Sequence, residues 1–233
     1  YNYFRFESVF ELGHRYQLTS INMRDGYENF YSFNNILPNA YNYLFNPFRV
    51  IRVFPFVKPE WGKYSVPFLR ALASNWYTTE KITGMVISSP ILLAALIPLV
   101  NISRYIWKGF HSLPDLIRGL QDVMGTEFNQ LYFLLLLTGI LQLTPLLPIS
   151  FISMRYATDF AYSGFVLAAL GVYYIWDRMD QRLLSKATLT LFAGILGVYT
   201  ILVSILLAFT GYYPVFEELN PALFSQLTRI FTP

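Results

Sequence analysis

Cysteine is absent from the 233-residue chain, which excludes disulfides, thiolate metal sites and a cysteine nucleophile. Charge is scarce. Asp, Glu, Lys and Arg make up 13% of the residues, whereas an ordinary soluble domain carries roughly a quarter. Only two histidines occur, His14 and His111, and the expected topology puts them on opposite faces of a membrane, so no histidine-based metal site is assembled. A Gly-rich phosphate loop, a nucleophile elbow and a haem attachment sequence are all missing, and the sequence calls for no cofactor. The net charge is only +3, with the basic residues scattered, so a nucleic-acid-binding protein is not indicated. The opening Tyr1-Asn2-Tyr3-Phe4-Arg5 has neither a start methionine nor the apolar core of a signal peptide, and preceding sequence is expected.

Apolar and aromatic side chains fill the space that charge leaves. Hydrophobic residues reach 55% and aromatics 18%, with a mean hydropathy of +0.40. This composition reads as an all-α, multi-pass helical membrane protein. Hydropathy divides the chain near residue 82. Residues 1–81 form an aromatic-rich, mainly helical segment at the membrane surface; Tyr and Trp there combine apolar bodies with polar tips. A helix is expected from Ser65 to about Ser74, and extended chain over Pro55–Glu60. Four runs of spanning length follow, at 82–100, 129–148, 155–176 and 187–210; each approaches the roughly 20 residues needed to cross a hydrocarbon core of about 30 Å. Pro90, Pro98, Pro145 and Pro148 are expected to kink these helices without ending them. Residues 112–125 read as a short amphipathic helix in the headgroup layer, with a capping pattern at Ser112 and Asp115 and an apolar face of Leu116, Ile117, Leu120, Val123 and Met124. Residues 211–233 form a tail.

Basic residues set the orientation. Loops 101–128 and 177–186 hold Arg104, Lys108, Arg118, Arg178, Arg182 and Lys186, against Arg155 and Arg229 on the other side. The positive-inside rule puts the richer loops in the cytoplasm and residues 1–81 and 211–233 outside it. The nine Lys and Arg of the first 81 residues do not reverse this, because a segment longer than about 60 residues translocates largely regardless of charge.

Two clusters could carry chemistry. Arg155 and Asp159 open the third span four residues apart, on one helix face that Tyr162 and Val166 continue. An ionisable side chain there is costly, and Arg155 at the outer end suits an anionic ligand. The opening stretch Arg5 to Leu18 gathers Arg5, Glu7, Glu11, His14 and Arg15, groups able to act as acid, base or phosphate clamp. Small residues in the fourth span, Ala193 with Gly197 and Thr200 with Ser204, read as helix-packing positions.

The motifs Tyr1-Asn2-Tyr3-Phe4-Arg5-Phe6, Phe10-Glu11-Leu12-Gly13, Tyr16-Gln17-Leu18, Tyr43-Leu44-Phe45-Asn46-Pro47 and Ser153-Met154-Arg155-Tyr156 with Asp159-Phe160 resemble landmarks of large bacterial polytopic membrane proteins related to the C-type glycosyltransferase superfamily. Glu7 and Val9 depart from it, standing where that pattern usually has Gly and Pro. The resemblance implies the C-terminal portion of such a protein in the plasma (inner) membrane, handling a polyprenyl-phosphate sugar at the outer face. It places the superfamily's acidic catalytic residue in a region outside this chain. Glu11, Arg15, Arg155 and Asp159 are then the candidate contacts for lipid phosphate or substrate. A different class stays open: a non-catalytic scaffold or accessory subunit that partners other membrane subunits.

Overall fold

The computed structural model describes residues 1–8, 13, 29–62, 66–109, 113–179, 183–211 and 213–232. The first part runs α1 (Asn2–Phe6), a 3-10 turn (Phe33–Asn35), α2 (Ile36–Phe45), β1 (Phe48–Val50), β2 (Val57–Trp61), α3 (Pro67–Leu72), β3 (Thr78–Thr79) and β4 (Lys81–Ile82). Next come α4 (Met85–Ser88), a 3-10 stretch (Pro90–Ala95), α5 (Leu96–Gly109), α6 (Leu113–Met124), α7 (Glu127–Leu143) and a 3-10 turn (Thr144–Leu146). The chain continues through β5 (Phe151–Ile152), α8 (Met154–Arg178), α9 (Leu183–Thr210), α10 (Val215–Leu219) and α11 (Pro221–Phe231).

The protein is largely helical and membrane-associated in character. Among the described residues, three helices are long and apolar enough to cross a membrane: Glu127–Leu146, Met154–Arg178 and Ser185–Thr210. Their side chains explain the environment they need. Leu134, Leu137 and Leu141 on α7, and Leu191, Ile195, Val198 and Ile201 on α9, are all more than half exposed. Soluble monomers rarely leave so continuous an apolar surface in water.

α8 is the axis of the bundle. Its buried positions, Ala157, Phe160, Ser163, Leu167, Ala168, Gly171 and Tyr174, recur every three or four residues and make one face. The expected first span lies against that face, but its helix is broken. α4 stops at Ser88, the chain turns into 3-10 geometry at Pro90, and regular helix resumes only at Leu96. Pro90 has no N–H to donate and its ring collides with the preceding turn, so the helix ends there instead of kinking. Pro145 acts in the same way: α7 stops at Leu143 and the next three residues form a 3-10 turn. Pro98, in the first turn of α5, is tolerated because no intrahelical N–H is required at that point. The broken segment still follows α8 over its length. Ile82 packs with Ala157 and Phe160 at one end, and Ile102 and Tyr105 line a cavity with Tyr174 and Arg178 at the other. Gly171 permits this close passage, since a Cβ there would lie 1.9 Å from the Ala94 carbonyl oxygen.

Residues 29–62 and 66–82 form a platform at the end of the bundle where α8 begins. Helix is only part of it. β1, β2 and β4 make an antiparallel sheet with Arg49 opposite Lys58 and Trp61 opposite Lys81. β3 pairs in parallel with β5, Thr78 beside Phe151 and Thr79 beside Ile152. The extended run expected over Pro55–Glu60 is present only from Val57, as β2, because Pro55 lies in a turn and Phe56 is left-handed with φ 68°; the helix expected from Ser65 is present as Pro67–Leu72, and Ser65 itself lies outside the described residues. A second clamp is aromatic. Phe54 is 5% exposed and its ring packs against those of Phe56, Phe209, Phe224 and Phe231, joining the sheet to the end of α9 and to the tail. The Phe54 N–H donates to Thr232 Oγ1 at 2.9 Å. The Phe54–Pro55 peptide bond is cis.

The amphipathic helix expected at 112–125 is α6, with Val123 buried and Arg118, Gln121 and Asp122 exposed. Ser112, its expected cap, lies outside the described residues. The packing role expected of Gly197 on the fourth span is not met within this chain, because a Cβ at Gly194 or Gly197 would meet nothing within 4 Å.

Candidate functional site

Four asparagines position the mouth of α8. Asn35, Asn39, Asn42 and Asn46 are spaced four, three and four apart, which aligns them along one face of α2 and its flanks. All four are at most 2% exposed. A buried amide requires hydrogen bonds, and the turn between α7 and α8 supplies them. Asn39 Nδ2 donates to the carbonyl oxygens of Leu147 and Ile149, each at 2.7 Å, with that of Leu146 farther off at 3.3 Å. Asn35 Nδ2 donates to Ser150 Oγ at 2.9 Å. Asn46 Nδ2 donates to the Ile82 carbonyl at 2.7 Å. Tyr77 completes the row: its hydroxyl donates to Asn39 Oδ1 at 2.7 Å and accepts from Asn42 Nδ2 at 2.8 Å. Gly84 lets β4 close on this row, because a Cβ there would lie 2.4 Å from the Phe45 backbone nitrogen. The stripe was visible as a spacing in the sequence, but the turn that Asn35 and Asn39 bind lies more than a hundred residues away.

Ser153 caps α8. Its side-chain oxygen accepts from the Arg155 N–H at 3.4 Å and its hydroxyl donates to Glu80 Oε2 at 2.6 Å. A carboxylate from the platform therefore sits at the positive end of a 25-residue helix. Beside it, Tyr43 is fully buried against Phe160, with ring centroids 5.6 Å apart in an edge-on arrangement. Burial pushes the Tyr43 hydroxyl well above the ordinary tyrosine range; the Ser153 main chain opposes this, and Tyr156, Tyr77 and Asp159 add to it. The Ser153 main chain is near, yet no hydrogen bond of acceptable geometry reaches the Tyr43 hydroxyl, and Asn42 Oδ1 and Thr83 Oγ1 are likewise unpartnered. Burial raises Tyr77 as well, with the Asn42 hydrogen bond acting in the opposite direction.

Arg155 and Asp159 occupy the first two turns of α8, both exposed. Tyr162 and Val166 continue the same exposed stripe along the helix, 76% and 47% accessible. The structure thus places a cation and an anion, both exposed, at the end of a bilayer-length helix next to the platform. Glu11, Arg15 and both histidines, His14 and His111, lie outside the described residues. Glu80, Tyr77, Asn35, Asn39 and Asn42 are the members of this region that the sequence reading did not single out, and Tyr43 and Asn46 entered it only as part of a motif, not as site candidates. Their signal was the regular Asn spacing and a glutamate just before the first apolar run.

No protein-family model, no curated protein and no solved structure matches this chain.

Proposed function

We propose that this chain is the C-terminal part of a glycosyltransferase-like membrane protein that holds a polyprenyl-phosphate sugar at the outer face of a bacterial plasma membrane. Four segments cross the bilayer in this reading, the first being the broken run from Ile82 to about Tyr105. Its passage alongside α8 supports that assignment: Ile82 packs near Ala157, and Tyr105 shares a cavity with Arg178, a separation of roughly 30 Å along a helix rising about 1.5 Å per residue. Exposed Tyr105, Trp107, Tyr173 and Trp176 at the far end suit the depth of an interfacial aromatic belt. The basic loops at that end are cytoplasmic, and the platform and the tail are outside.

The observation that carries the proposal is the exposure of Arg155 on the first turn of α8, beside the folded platform; in this reading that turn is level with the lipid headgroups. A guanidinium there can meet a lipid phosphate through paired N–H donors while the prenyl tail follows the apolar stripe of Tyr162 and Val166. Asp159, one turn deeper, orients the guanidinium. The transfer step is assigned to no residue of this chain. The resemblance of the Ser153–Phe160 motif supplies the substrate class.

The test is binding of a short-chain polyprenyl-phosphate sugar to purified protein in nanodiscs. Arg155→Ala is expected to weaken binding by about tenfold or more, the usual scale for losing one charge-assisted contact, with Arg155→Lys intermediate. Unchanged affinity in Arg155→Ala would remove the proposal. The open faces at Gly194 and Gly197 favour a second reading, an accessory subunit whose partner helix packs on α9. A stoichiometric membrane partner released by Gly197→Leu would support that one.

A further inference from the structure

A separate cleft of about 420 Å³ lies between the three-stranded sheet and the end of α9, lined by Arg49, Lys58 and Lys81 with Trp61, Glu60 and Glu217. None of its residues belongs to α8, so it is distinct from the Arg155 region. Its floor includes Phe209, in the last turn of α9, and Phe224 of α11. The cleft therefore sits at the membrane boundary.

Three features define what it can hold. First, Arg49 and Lys58 face each other across β1 and β2, and like charges in directly opposite positions destabilise a sheet. Glu60 compensates one of them, with Arg49 Nε 2.5 Å from Glu60 Oε1. That bond uses one guanidinium donor, and the Arg49 side chain remains 67% exposed. Second, Lys81 lies over the Trp61 ring, its Nζ 5.8 Å from the centroid. Trp61 is 44% exposed, so the indole still presents apolar surface to the cleft. Third, three cations meet two carboxylates, Glu60 and Glu217, which leaves one positive charge. A flat aromatic surface between planar hydrogen-bonding groups matches a sugar ring, whose C–H face is apolar and whose edge carries hydroxyls. The surplus charge matches one negative group on that sugar. The volume lies within the range of small-molecule sites.

We infer that this cleft binds one saccharide unit bearing a single negatively charged group, with its ring on Trp61 and its anion and hydroxyls on the charged side chains that line the cleft. The inference goes beyond the Arg155 reading and does not depend on it. Either a soluble acidic sugar or the head of a lipid-linked one presents this chemistry.

The test uses the full chain in nanodiscs and saturation-transfer NMR with four probes: glucose 1-phosphate, glucuronate, glucose and inorganic phosphate. Both acidic sugars are expected to bind, with glucose and phosphate weaker by about tenfold or more. The double substitution Lys58→Ala with Lys81→Ala, and separately Trp61→Ala, should each weaken glucose 1-phosphate by a similar factor. Trp61→Phe keeps an aromatic face and should retain binding, which separates a lost contact from a lost fold. Loss of prenyl-linked sugar phosphate binding in the Lys58→Ala with Lys81→Ala protein, by a factor of about ten like that of glucose 1-phosphate, assigns the lipid-borne source, and a prenyl-linked probe indifferent to that double substitution assigns the soluble one. Equal binding of inorganic phosphate and glucose 1-phosphate, equal binding of glucose, indifference to both the lysine and Trp61→Ala substitutions, or no binding of either acidic sugar would each overturn the inference.

Discussion

At Asn39, one side-chain amide joins two distant parts of the chain. Its two N–H bonds serve the carbonyls of Leu147 and Ile149, and its oxygen accepts from Tyr77. Asn39→Ala strands these buried groups, at a cost of about 1–3 kcal/mol for each one left unsatisfied. A loss of roughly 2–4 kcal/mol is expected, read as a lowered thermal midpoint in detergent. Asn39→Asp should be worse than Ala at neutral pH, because a carboxylate would face carbonyl oxygens instead of donating to them. Equal midpoints for wild type and Asn39→Asp would show that the amide donors do not hold the turn. Tyr77 and Tyr43 make a pH prediction. Both hydroxyls are raised by burial, so their contribution to stability is intact below the ordinary tyrosine value of about 10 and is lost as pH rises above it. The thermal midpoint should fall above about pH 10, and Tyr43→Phe with Tyr77→Phe should flatten that fall. A slope unchanged in the double variant would contradict the assignment.

At the level of elements, the passage of the 3-10 stretch Pro90–Ala95 against α8 depends on the missing side chain at Gly171. Gly171→Ala places a methyl group on the Ala94 carbonyl and should destabilise by about 1–3 kcal/mol, the range for overpacking. Gly194→Ala on α9 meets nothing and should be neutral or stabilising by up to about 1 kcal/mol through helix propensity. Opposite signs in paired melting curves support this packing, and equal effects would contradict it. The long helices could be read from the sequence because their signal is local: an unbroken apolar run such as 187–210 declares its length by itself. The strands could not. Thr78–Thr79 is two residues long and exists only because Phe151–Ile152 lies alongside, more than seventy positions later. The prolines were visible but their outcome was not. Pro98 falls in a first turn, where it is harmless, while Pro90 falls where a helix must stop, and only the packing decides where the turns begin. For the candidate site, Arg155 and Asp159 could be read as a shared face from their spacing, but Glu80 and Tyr43 reach that region through tertiary contact.

For the molecule as a whole, the asparagine row, the β3–β5 pair and the Phe54 cluster fasten the platform and the tail to one end of the bundle. In the proposed topology Arg155 lies on the same side of the membrane as Phe33 and Asn220, with Asp177 and Arg118 on the other. The absence of cysteine makes this directly measurable: single-cysteine variants at Phe33, Arg155, Asn220, Arg118 and Asp177 each carry one thiol. In intact cells, a membrane-impermeant maleimide should label the first three and spare the last two until the membrane is opened. Labelling of Asp177 together with Arg155 in sealed cells, or protection of Arg155 where Phe33 reacts, would contradict the account.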